Sequence, residues 1–174
     1  MTSEIQKLEL LMRTLNLDFS RRATVQPALE LAEQTGEPAV ASELNDGRII
    51  TGKTSNLLGA AAAALLNALK ELAGIPDEIK LISPTVIEPI QHLKVSHMRN
   101  RNPRLHTDEI LIALTISAVT DDNAEQAMEQ LSNLSGCEAH STVILSQVDE
   151  GMLNKLGMNV TCEPAYQTNK LYHK

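Results

Sequence analysis

The sequence predicts an α/β fold: a mixed, roughly five-stranded sheet with helices on both faces, a three-layer sandwich preceded by a short helical segment. Three observations carry this. Asp46-Gly47 sits between two runs of alternating polarity, the strongest short-range hairpin signal, because glycine accepts φ > 0 at the turn. A β-branched run, Ile49-Ile50-Thr51, then feeds through Gly52-Lys53-Thr54-Ser55 into an alanine- and leucine-rich helix, too apolar for a surface and therefore central. Beyond it, strand-like and helix-like periods alternate, the order that builds crossovers on a sheet.

Taken in order, residues 3–17 place Ile5, Leu8, Leu11, Met12 and Leu15 at helical spacing, with Thr2 or Ser3 as cap and Glu4 near the positive end. Asp18, Ser20, Arg21 and Arg22 form a linker, and a second helix covers 25–34, with Pro27 in its first turn and Gly36 as stop. Residues 1–36 thus read as a helical lead-in that docks or oligomerises, and 37–166 as the α/β domain. There the period becomes two at Val40, Ala41, Glu43 and Leu44, and the hairpin follows. The central helix is expected over 55–73, ended by Gly74, and a third strand over 79–82. Ser83-Pro84-Thr85 opens a helix over 86–97, the loop 99–103 is polar, and helices follow over 107–119 and 123–134. Residues 137–145 read as a strand, 149–156 as a short helix and 158–162 as the last strand, leaving 167–174 as a loose tail. Gly59, Ala60, Ala63, Ala64, Asn67 and Ala68 are small enough for close contact between the central helix and the sheet.

Composition narrows the function. The chain has 174 residues, enough for one core without staples, and 43% are hydrophobic. Phe19, Tyr166 and Tyr172 are the only aromatic residues and the net charge is −7, so neither base stacking nor phosphate-backbone affinity is supplied, and nucleic acid is not expected. The first residues lack the basic start and apolar run of a signal peptide, and the longest apolar stretch, 57–66, is too short to span a bilayer. A cytoplasmic protein without a membrane partner is expected. Cys137 and Cys162 lack paired spacing and read as free buried thiols.

Several residues could carry chemistry. Gly47-Arg48-Ile49-Ile50-Thr51-Gly52-Lys53-Thr54 matches the P-loop pattern letter for letter, but its middle reads as the return strand of a hairpin rather than as a phosphate-wrapping loop. A weaker expectation is that Gly52, Lys53, Thr54 and Ser55 form an anion-receptive helix start; an ordinary N-cap with Lys53 solvated is the alternative. Ser83 and Thr85 open the next helix in the same manner, and two such starts at parallel neighbouring strands would face one cleft, although Pro84 equally reads as a plain helix starter. Arg99, Arg101 and Arg104, beside Lys94 and His97, form a basic cluster that suits phosphate or carboxylate, or surface ion pairing. His106 and His140 are the acid–base candidates, His106 reading alternatively as a helix cap or an exposed residue. Cys137 and His140 point to opposite faces of a strand, so no metal site is expected with Cys162.

Four blocks then resemble one family: residues 51–59, 69–75, Asn100-Arg101-Asn102-Pro103-Arg104-Leu105-His106-Thr107-Asp108-Glu109, and Gly136-Cys137-Glu138-Ala139-His140-Ser141, with 143–149 and Thr161-Cys162-Glu163-Pro164 in support. They resemble the C-terminal part of the bacterial "domain of unknown function 1846" family, over nearly everything from Asp46 to Tyr172. The resemblance implies longer relatives with an N-terminal portion that looks nucleotide-binding, so that this chain reads as an excised C-terminal domain or a shortened relative. It also implies a topology similar to the cytidine-deaminase fold. Deaminases place zinc ligands at the starts of two central helices; the matching starts here, Lys53-Thr54-Ser55 and Pro84-Thr85-Val86, hold none, which rejects zinc deamination.

The leading expectation is an accessory α/β domain that binds an anionic, phosphate-bearing ligand, a nucleotide or phosphate, at helix N-termini and self-associates or docks on a separate N-terminal portion. The alternatives are an enzyme acting on a phosphorylated small molecule, with Lys53 and Arg101 or Arg104 stabilising charge, and a purely structural interaction domain. No cofactor is predicted.

Overall fold

The computed structural model describes residues 2–16 and 21–167; the expected tail beyond residue 167 and part of the first linker lie outside them. The elements are α1 (Thr2–Thr14), α2 (Val25–Thr35), β1 (Ala39–Glu43), β2 (Ile49–Lys53), α3 (Ala60–Ala73), α4 (Pro84–His92), α5 (Thr107–Ser117), α6 (Asp122–Glu129), β3 (Glu138–Ser141), α7 (Gln147–Lys155) and β4 (Asn159–Cys162). The strands form an open mixed sheet in the order β2-β1-β3-β4, with β1 antiparallel to β2 and β3, and β3 parallel to β4.

The hairpin forms where Asp46-Gly47 places it. Gly47 has φ 86°, Leu44 N–H donates to Arg48 O at 2.9 Å, and Glu43 pairs with Ile49. Ala39, Val40, Ala41 and Ser42 of β1 are all buried, so both faces of the sheet are covered. Val40 and Gly52 turn one face toward α3, while α2 packs on β1, β2 and β3, burying Val25 and Ala28. α5 and α6 pack on α3, and α7 runs between the parallel strands β3 and β4. Contact between α3 and the sheet is very close: a Cβ on Gly52 would stand 2.1 Å from Ala64 N.

Three expectations are corrected. Residues 79–82 are not a fifth strand, and the described sheet has four. Leu81 and Ile82 are buried, but from a bend between Pro76 and Pro84, and β2 remains the sheet edge, where Asn67 Nδ2 donates to Thr51 O at 2.9 Å. A short apolar run reports burial and not pairing. The central helix begins at Ala60 rather than at Ser55, because Ser55 Oγ accepts the N–H groups of Leu57 and Leu58 and folds 55–58 into a turn of its own. Finally, β3 ends at Ser141: Thr142 N–H still donates to Ala39 O, and the chain then leaves the sheet. The helix after Ser83 runs as α4 to His92 and continues as one π-helical segment, Leu93–His97, past an internal Pro89.

No helix of the described residues is long and apolar enough to cross a membrane. Leu8 and Leu11 on α1 and Leu15 just past its end are exposed, as are Ile112 and Ile116 on α5 and Val119 just past its end. Both cysteines are free, but only Cys137 is buried; Cys162, expected inside, is exposed.

Candidate functional site

Three helices begin around one cleft of about 100 Å³: α3 with Gly59, Ala60 and Ala61, α5 with His106, and α7 with Ser146 and Asp149. Thr54 and Arg104 complete the wall that matters chemically. Backbone pairing causes the convergence. Leu58 and Leu105 form a parallel bridge in which Leu105 N–H donates to Leu57 O at 2.9 Å and Gly59 N–H to Leu105 O at 3.1 Å. Asp149 then draws α7 to α5, accepting from Thr107 N–H at 2.9 Å, the Thr107 hydroxyl at 3.0 Å and the Ser146 hydroxyl at 2.8 Å. Behind them the buried Lys94 ammonium donates to Arg104 O and to Glu109 Oε2, both at 2.6 Å, while Glu109 Oε2 accepts His106 N–H at 2.8 Å.

The start of α3 is the unusual part of the wall. Ala60 and Ala61 are 7% and 3% exposed, and no side chain among the described residues caps the helix. The first backbone N–H groups of a helix have no partner within it, so a buried, uncapped start presents donors and positive dipole to whatever fills the space beside it. Thr54, 2% exposed, lines that space, and its hydroxyl makes no hydrogen bond among the described residues. Arg104 is held by Nε donating to Ser55 O at 2.6 Å, which leaves the rest of its guanidinium fork for the cleft.

His106 supplies the titratable group. Its Nδ1 lies 2.9 Å from Asp149 Oδ2, and a carboxylate only accepts, so Nδ1 carries the proton of the neutral ring and Nε2 is left with a lone pair. The hydrogen bond to Asp149 raises the His106 pKa above its ordinary value, against burial; the Asp149 charge and Glu109 add to the rise and Lys94 opposes it. Burial pushes the Asp149 carboxyl upward, but hydrogen bonds from His106, Thr107 and Ser146 outweigh it and hold it below the usual range. A histidine so oriented can donate or accept a proton at Nε2, and the same ring, when charged, attracts an anion.

The family described as "Domain of unknown function DUF1846, C-terminal" matches residues 20–172. The chain belongs to this family. It is 56% identical over 168 residues to a UPF0371 protein of Corynebacterium efficiens, covering 97% of this chain and 34% of that protein. A UPF0371 protein of Corynebacterium diphtheriae is 52% identical over 173 residues, 99% of this chain and 35% of the relative, and one of Streptococcus pneumoniae strain P1031 is 53% identical over 170 residues, 98% and 34%. The chain therefore spans about a third of the length of these family members.

Against the cleft of this DUF1846 domain, the expected site residues divide. Thr54, Arg104 and His106 line it, and Ser55 borders it through its carbonyl. Gly52 is covered by α3, Lys53 is exposed at the end of β2, and neither lines the cleft. Ser83 caps α4, accepting from Thr85 N–H, and both are exposed away from the cleft; without a strand at 79–82, the second helix start is not brought beside the first. Arg99 and Arg101 are exposed and do not line it. His140 lies in β3, buried, with Nδ1 2.8 Å from Thr161 Oγ1 and Nε2 3.1 Å from Glu163 Oε1. Burial lowers its pKa, against the pull of Glu163.

Sequence reasoning missed Asp149, Ser146 and the Gly59-Ala60-Ala61 start. Ser146-Gln147-Val148-Asp149 carries the serine-x-x-acid spacing of a helix start, which signals the cap but not that the acid reaches across to another helix. A second pocket, about 210 Å³, lies between α3 and residues 77–87, lined chiefly by Leu57, Leu66, Ile79, Leu81 and Ile87; its apolar wall brings together none of these groups.

Proposed function

We propose that this domain binds a phosphate-bearing small molecule in the cleft where α3, α5 and α7 begin. The observation that carries the reading is the buried start of α3, with no capping side chain and no hydrogen-bond partner for the adjacent Thr54 hydroxyl among the described residues. Arg104 and His106 add side-chain donors to the backbone ones. The test is a thermal-shift screen of inorganic phosphate, sugar phosphates and nucleotides on wild type, Thr54→Val and Arg104→Met. A ligand at a hundred times its dissociation constant stabilises by ~2.7 kcal/mol. A wild-type shift that shrinks in both variants supports the site, and no shift with any compound rejects it.

A second reading is favoured by the His106–Asp149 hydrogen bond: an enzyme acting on a phosphorylated small molecule, with His106 Nε2 moving the proton. Phosphate release from the compounds that shift wild type, lost in His106→Asn while binding remains, would select it over binding alone.

A further inference from the structure

The charges around the cleft nearly cancel. Among the residues that line it, Arg104, His106 and Asp149 are ionisable. Arg104 brings one positive charge and Asp149 one negative. Lys94 and Glu109, behind the start of α5, neutralise each other at 2.6 Å, and Asp108 beside them accepts Glu109 N–H at 2.8 Å and does not line the cleft. α3 offers no ionisable residue before Lys70, and Glu150 of α7 is exposed outside the lining. Among the described residues, the side-chain charge of the wall is therefore zero until His106 takes a proton.

The hydrogen bonds point the same way. Asp149 already accepts from Thr107 N–H, Thr107 Oγ1, Ser146 Oγ and His106 Nδ1, so its charge is satisfied within the wall. His106 Nε2 makes no hydrogen bond among the described residues; it is an acceptor on the neutral ring and a donor on the charged one. A phosphate dianion presents only acceptors to the α3 N–H groups, the Thr54 hydroxyl and Arg104. Beside these, a neutral Nε2 would set a lone pair against an oxygen, while a protonated Nε2 would supply a charged donor.

We propose that the cleft takes a doubly charged phosphate monoester group together with a proton on His106 Nε2, so that ligand and proton bind as a linked pair. This rests on reading the cleft as an anion site. By reciprocity, the bound dianion tightens the hold of His106 on its proton as much as the proton tightens the hold on the dianion. The Asp149 hydrogen bond prepares the ring for this by favouring its charged form.

Sulfate separates the protein's proton from the ligand's, because its own charge stays fixed over the range used. Its affinity is measured by calorimetry on wild type and His106→Asn from about pH 5.5 to about pH 8.5, spanning the histidine range. The Asn amide can keep a donor toward Asp149. Wild-type affinity should fall by at least about tenfold across the range, since a linked proton changes affinity by up to about tenfold per pH unit above its pKa, and the variant should change by less than about twofold. Wild-type heats in buffers of different ionisation enthalpy should independently show net proton uptake at the alkaline end. A wild-type affinity that is flat with pH, or a slope equal in the variant, overturns the linkage while leaving the anion site standing. No sulfate binding at any pH, in a protein that also shows no shift with phosphate compounds, overturns the site and the linkage with it.

Discussion

Gly52 lies directly under the backbone of Ala64: a Cβ placed on it would meet Ala64 N at 2.1 Å and the Ala63 carbonyl carbon at 2.6 Å. The glycine of the P-loop-like string is thus a packing residue, and what it allows is the seat of the central helix on β1 and β2. Gly52→Ala must push α3 off the sheet. A loss of about 1–3 kcal/mol or more is expected, the range for overpacking a rigid contact. Urea denaturation measures it, and unchanged stability would show that the helix shifts freely.

Lys53 tests the difference between the string and the site. Because it is exposed and outside the cleft, Lys53→Ala should leave both anion binding and stability unchanged, within about 0.5 kcal/mol for a surface substitution. Thr54→Val, one residue on, should weaken phosphate binding with little change in shape. The same thermal-shift screen reads both.

The two histidines should give stability opposite dependences on pH. Asp149 holds the His106 pKa above its ordinary 6.5, so its contribution is complete below about pH 6.5 and is lost as pH rises through the folded value. Burial depresses the His140 pKa, so its neutral ring costs nothing above about pH 6.5, and a penalty grows as pH falls through the folded value. His106→Asn should therefore be most destabilising, relative to wild type, on the acid side. His140→Gln should be least destabilising there. Parallel curves in a pH series of denaturation midpoints would contradict this.

Lys94 is almost wholly buried, and its partners are Glu109 Oε2 and Arg104 O. Glu109→Ala leaves the ammonium with one carbonyl and also strips His106 N–H of its acceptor. The expected loss is about 3 kcal/mol, the lower end for breaking a buried pair from one side, since Glu109 is partly exposed. Lys94→Met, which removes the buried charge itself, should cost less. The reverse order in denaturation would show that the ammonium is hydrated.

Thiol accessibility gives a simple check on the sheet. Cys162 is exposed on β4, whereas Cys137 is buried and its thiol pKa is raised by that burial. A thiol reagent should modify one cysteine quickly and the second only on unfolding.

Much of the fold was legible because its signals are local. Asp46-Gly47 sets the hairpin turn, Gly36 and Gly74 end α2 and α3 with φ of 70° and 67°, and the apolar periods place the helices. What failed also failed for local reasons. Ser55 looked like a helix cap but caps a turn, and Leu81-Ile82 looked like a strand but only fills the core. In both cases the side chain's preference is satisfied by more than one backbone path, and long-range contacts choose among them.

The sequence by itself determined the hairpin, the central apolar helix, the acidic and aromatic-poor character of the chain and its resemblance to its family, since each is written in residue type and spacing. Only the tertiary structure decided which groups meet. It brought Thr54, Arg104, His106 and Asp149, spread over 96 positions of the chain, to three helix starts around one cleft, and it left Lys53, Ser83, Arg99 and Arg101 outside. The reason is that periodicity fixes the face a residue occupies within its own element. Which faces come together is set by contacts between elements, here the Leu58–Leu105 bridge and the reach of Asp149 to Thr107.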